Sequence, residues 1–88
     1  MPYIKDAERS KVAPVLSALK VVLNDGFTDG ELNYLFTKIG LMFLQQHGTS
    51  YNTISKIVGG LESAKLEFYR RIATPYEDEK IKENGDVY

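Results

Sequence analysis

The sequence predicts an all-α fold, a small three-helix bundle with a polar C-terminal arm, and two observations carry that prediction. Apolar residues recur at steps of three and four in three successive stretches, the period of one helix face. Between the stretches stand helix stop and start signals, Asp25-Gly26 and Gly48-Thr49-Ser50, which leave room only for short connections. At 88 residues the chain is one domain, residues 1–74 forming the helical body and 75–88 an acidic arm.

The first stripe is Val12, Val15, Leu16, Leu19, Val22 and Leu23. Pro14 suits a first helical turn, where its missing N–H costs nothing, so a helix is expected over Ala13–Asn24. Asp6 to Lys11 is expected to form a separate preceding turn, and Asp25-Gly26 to end the helix. Tyr3 and Ile4 are apolar side chains able to pack back on the body.

The second helix has the best start signal. Thr28-Asp29-Gly30-Glu31 fits a capping box, with Phe27 and Leu32 at the positions of a hydrophobic staple. The helix therefore begins at about Asp29, buries Leu32, Leu35, Phe36, Ile39, Met42 and Phe43, and stops at Gly48. Tyr34, Leu41 and Leu44 lie off that stripe, a width that suggests contact on two sides.

Thr49 or Ser50 caps the third helix, expected from Tyr51 to Ala73 with Ile54, Ile57, Val58, Leu61, Ala64, Phe68 and Ile72 as its buried stripe. Gly59-Gly60 inside it suits close approach of another helix, or a kink. Thr74 precedes Pro75, so the helix is expected to end there. The remainder, with helix formers from Glu77 to Glu83 and then Asn84-Gly85, reads as a short fourth helix or an extended arm, with a short helical turn followed by a terminal strand or arm favoured.

Composition narrows the function classes. With no cysteine the chain has no disulfide and no thiol chemistry, which points to a reducing cytoplasm. A single histidine and no cysteine leave structural zinc without its usual ligands, and neither metal nor cofactor is expected. The formal net charge of −1 gives no bulk attraction for nucleic acid or anionic membrane. It hides an asymmetry: nine Lys or Arg against seven Asp or Glu in residues 1–74, and two against five in residues 75–88. No stretch has the length of a membrane span, and the opening MPYIKDAERSK reaches charge too early for a secretory signal.

The candidate ligand site is Lys65, Tyr69, Arg70, Arg71 and Tyr76. Arg pairs bidentately with phosphate and stacks on planes, so aromatic rings beside guanidinium groups suit a nucleotide-type ligand. The alternative is that Tyr69 lies at the rim of the core and the two Arg neutralise Glu62, Glu67 or the acidic tail. Glu77, Asp78, Glu79, Glu83 and Asp86 do not match the spacing of an EF-hand loop and read as a solvated or docked tail. His47, near a helix end, reads as a charge partner of that end. A helix-turn-helix around Asn24–Phe27 would make the second helix the recognition helix, and its only mid-helix base is Lys38, so DNA binding is not expected.

Two resemblances bear on function. The start MPYI is similar to that of the tautomerase superfamily, where a processed N-terminal Pro2 would act as a general base once Met1 is removed. That likeness covers four residues, and KDAERSK lacks the alternation of the strand it would open. The second is broader. DGELNYLFTK and LESAKLEFYRRIATPYEDEKIKENGDVY, with the opening PYIK, resemble a family of small uncharacterised proteins of bacteriophages and bacteria, a domain of unknown function. The resemblance supplies no catalytic residues. Its phage association implies host takeover or counter-defence in a host cytoplasm, and small phage proteins that form helical oligomers and sequester cyclic nucleotides are an analogy.

The expected protein is therefore a non-enzymatic binding protein, a homo-oligomer because its helices carry more apolar surface than a small bundle buries. It would sequester a nucleotide-type signal or, alternatively, act as a protein-interaction module that inhibits or adapts a host protein.

Overall fold

The computed structural model describes residues 2–88, so the expected removal of Met1 lies outside the described residues. These residues are all-helical, in three helical stretches without a strand. In order they are α1 (Asp6–Arg9), a 3₁₀ turn (Ser10–Val12), α2 (Ala13–Asn24), α3 (Asp29–His47), α4 (Tyr51–Phe68), a π-helical segment (Tyr69–Ala73) and α5 (Thr74–Asn84). The chain divides into two compact units, Tyr3–Ile57 and, together with Pro2, Val58–Tyr88, and the division falls inside α4.

In Tyr3–Ile57 the local signals act as expected. Asp6 is joined to Arg9 at 3.1 Å, and its carbonyl accepts from the Ser10 hydroxyl at 3.1 Å, which closes the separate turn before α2. Pro14 occupies the first turn of α2. Gly26 ends the segment with φ 90°, in the left-handed region that favours glycine. At α3 the Thr28 hydroxyl accepts from the Glu31 N–H at 3.1 Å, while the Thr28 N–H donates to the Glu31 carboxylate at 2.9 Å. Both arms of the capping box are thus formed. Ser50 caps α4, its hydroxyl accepting from the Thr53 N–H at 3.1 Å.

The close approach between helices is not at Gly59-Gly60. A Cβ at either of those positions would meet nothing within 4 Å, whereas one at Gly40 of α3 would lie 3.2 Å from Cγ2 of Ile57 in α4. Gly40 is therefore the contact point of the α3–α4 hairpin, and the missing side chain is what lets Ile57 come in. The expectation that the paired glycines mark a packed crossing is corrected accordingly.

In Val58–Tyr88 the helix does not end at Thr74. It passes through the π segment and continues to Asn84, so the expected polar arm over 75–88 is mostly α5. The reason lies in Pro75. In an uninterrupted α-helix its ring would press on the Arg71 carbonyl, four residues back, and that carbonyl would lose its donor. The π segment widens the preceding turn, and the Thr74 N–H bonds to the Tyr69 carbonyl, five residues back. The chain absorbs the proline by taking an extra residue into one turn rather than by stopping. Along α5, Lys80 pairs with Glu83 at 3.2 Å and Lys82 with Glu79 at 3.5 Å, the side-chain neighbours that support a solvated helix. Gly85, φ 85°, terminates it.

The second correction concerns the core. Thr53, 6% exposed, is the one buried residue among those described, and no apolar side chain is buried. Leu19, Phe27, Leu35, Leu44 and Ile57 are half-buried. The stripes read from the sequence are present on the helices, but most of their members, from Val15 of α2 to Ile72 of the π segment, are exposed. Helical periodicity sets which residues share a face, and only a neighbouring surface can bury it.

Candidate functional site

Lys65, Tyr69, Arg70, Arg71 and Tyr76 all lie on one helical stretch of the Val58–Tyr88 unit, centred on the π segment. The structure joins two of the basic groups to carboxylates of their own helix. Lys65 Nζ lies 3.2 Å from Glu62, and the Arg70 guanidinium pairs with Glu67, each three residues apart. Of the pairings weighed against a ligand, the one between Arg70 and Glu67 is formed, whereas Glu62 is paired with Lys65 rather than with an arginine. Arg71 makes no ion pair among the described residues. The Tyr76 ring carries Lys80 Nζ at 5.4 Å from its centroid, a cation–π contact.

Tyr69 is engaged with a residue that the sequence reading placed in the tail. Its pKa is raised above the ordinary value, first by a hydrogen bond from its hydroxyl to the Glu77 carboxylate and next by that carboxylate's charge. Partial desolvation and Tyr88 add smaller contributions. The eight-residue separation is itself informative. Two α-helical turns take roughly seven residues, and a π turn takes up roughly one more. The π segment is thus what sets Glu77 over Tyr69. Proline at position 75 was the signal for this displacement in the sequence, although it reads locally as a helix stop.

A second feature lies in the Tyr3–Ile57 unit and was not singled out from the sequence. A shallow open groove is lined by Phe27, Thr28, Gly30, Glu31, Tyr34, Leu35 and Lys38. Lys38 Nζ stands 5.4 Å from the Tyr34 ring centroid. The spacing of four residues between Tyr34 and Lys38 was the available signal. The expected charge partner at the end of α3, His47, stacks at 4.2 Å between ring centroids on Phe43, a tilted contact one turn back. Among the described residues no three His, Asp or Glu side chains group as metal ligands, the acidic residues of α5 included. No helix of the described residues is long and apolar enough to cross a membrane.

A family model described as a domain of unknown function (DUF6899) matches residues 1–87. No curated protein and no solved structure gives a significant match.

Proposed function

The chain belongs to the DUF6899 family, a domain of unknown function, and from that premise we propose that it is a non-enzymatic protein-interaction module whose apolar helix faces are completed by another polypeptide. One observation carries this reading: no apolar side chain of the described residues is buried. A helix gains most of its stability by packing an amphipathic face, and helices that keep such faces in water are marginal. Faces of this kind are the usual means by which one helix is taken into the groove of another protein. The likeness to small phage proteins extends the proposal to a host protein as the partner, inhibited or adapted by the module.

The test is whether the isolated chain hides its apolar surface. Under this reading the chain at low micromolar concentration either binds a hydrophobic dye as a monomer or is associated, with an unfolding midpoint that then depends on concentration. A dye-silent monomer with a sharp, concentration-independent transition has a closed core of its own and overturns the proposal.

A second reading keeps the sequestration of a nucleotide-type signal, and Arg71 favours it. That guanidinium makes no ion pair among the described residues, and it sits in a π segment, a feature often found at functional sites. Arg71 would take the phosphate and Tyr76 would stack on the base, with Lys65 and Arg70 held in their pairs to Glu62 and Glu67. A thermal-shift screen with cyclic nucleotides and ADP-ribose derivatives checks it. A rise in melting temperature that Arg71→Ala abolishes supports the ligand, and no rise with any of them removes it.

A further inference from the structure

The groove in the Tyr3–Ile57 unit is built entirely from residues 27–38, so its form belongs to one short loop and the first part of α3. Within α3 its members Glu31, Tyr34, Leu35 and Lys38 stand three or four residues apart and share one face, which Met42 continues one turn beyond Lys38. This face is turned away from α4. Gly40, where Ile57 comes in, lies nine residues from Glu31, roughly two and a half turns, and so on the opposite side of the helix. Tyr34 is 62% exposed and Met42 58%.

The order of groups along this face reads the same from either end once the two charges are exchanged. Glu31 and Lys38 are equally far from the midpoint between Tyr34 and Leu35, and Phe27 and Met42 are equally far from it further out. Both charges remain available to a partner. Lys38 makes no ion pair among the described residues, and its ammonium rests on the Tyr34 ring at 5.4 Å from the centroid. Glu31 accepts from the Thr28 N–H through Oε1, and a carboxylate has a second oxygen for a second donor.

We propose that this face is the contact between two copies of the chain, their α3 helices running antiparallel about a twofold axis at Tyr34 and Leu35. Each Glu31 then lies opposite Lys38 of the partner subunit, and each Phe27 opposite Met42 of the partner subunit. A twofold contact sets residue i on j and j on i, so it requires a patch complementary to itself. The exchange of Glu31 for Lys38 about the midpoint gives this face that property. A parallel pairing would set like charges against each other and is repelled. The apolar side chains supply contact area, and the charges fix direction and register. The groove is shallow, which suits the side of a helix, whereas a small molecule is held by walls that bury most of its surface. The inference rests on the reading that the apolar faces await another polypeptide, and it names which polypeptide covers this one.

The test is light scattering of the purified full chain between about 1 and 100 µM. The parent is expected to dimerise. Lys38→Glu and Glu31→Lys, each alone, place like charges in both pairs and are expected to weaken association by at least about tenfold in Kd, toward the 10.0 kDa monomer. An equal mixture of the two variants restores both pairs and is expected to associate as the parent does. Mixing does not rescue a variant that is merely misfolded. A dimer that both substitutions leave intact places the contact elsewhere and overturns the inference, as does a mixture that stays dissociated. A parent that is monomeric and still binds hydrophobic dye also overturns it, while the interaction-module reading stands for a different partner. A monomer without dye binding ends both.

Discussion

The Glu77 carboxylate acts on the Tyr69 hydroxyl from eight residues away along a single helical stretch, holding its pKa above the ordinary value by hydrogen bonding and by its charge. In an α-helix the partner two turns on would be Tyr76, so this bond reports the π segment between them. Pro75 sits inside that interval, and its need for a wider preceding turn is the physical origin of the pairing.

A pH dependence follows from the bond. The pKa of Tyr69 is raised in the folded chain, which means that the folded state holds this proton more tightly than the unfolded one. The contribution to stability is therefore fully present below the ordinary tyrosine range, near pH 10, and is lost as pH rises through the higher folded value. The difference between ultraviolet titrations of the parent chain and Tyr69→Phe isolates this phenol. Glu77→Gln is expected to lower its midpoint, and an unchanged midpoint would remove Glu77 as the cause.

Replacing the proline tests the register directly. Pro75→Ala restores the N–H and removes the ring, so the π segment is expected to relax to α-helix and Glu77 to rotate away from Tyr69. An interior proline costs about 3 kcal/mol relative to alanine, and the π segment already relieves part of that. A stabilisation smaller than this is expected in urea unfolding, together with loss of the raised Tyr69 midpoint. Retention of the raised midpoint would show that the bulge does not depend on Pro75.

The glycines of α3 and α4 are expected to respond in opposite ways. Gly59→Ala and Gly60→Ala add a methyl group into open space and should each stabilise the helix by about 1 kcal/mol. At Gly40 the added carbon lies 3.2 Å from Ile57, and Gly40→Val is expected to destabilise by about 1–3 kcal/mol through overpacking. Combining it with Ile57→Ala should recover part of the loss. Denaturant midpoints that fall equally for all three glycine variants would contradict the hairpin contact.

At the start of α3, Thr28→Ala removes the hydroxyl that accepts from Glu31 and should cost about 1 kcal/mol. Thr28→Ser keeps the acceptor and should cost much less. Amide hydrogen exchange at Glu31 reads the same bond, and equal protection in parent and Thr28→Ala would show that the cap is not made in solution.

Much of this was legible in the residues. Thr28 and Glu31 announce the start of α3, and Gly26 and Gly48 announce stops. Ser50 marks the entry to α4, and Lys65 and Arg70 stand three residues from Glu62 and Glu67. Each of these relations spans four residues or fewer and is closed by the backbone geometry of one turn. The meaning of Pro75 was not legible, because the local rule against helix before proline competes with continuation through a π turn. The outcome depends on the whole stretch from Tyr69 to Glu77.

By itself the sequence determined the all-helical class, the positions of most helix ends and the membership of each apolar stripe, since these follow from propensity, capping and a period of about 3.6 residues. Only the tertiary structure decided which way the stripes point. It made Gly40 rather than Gly59-Gly60 the close contact, carried the helix on to Asn84, and left Val58, Leu61, Phe68 and Ile72 exposed with Ser63 and Glu67 half-covered. The reason is that burial is a relation between surfaces, and a periodic pattern names only one of the two.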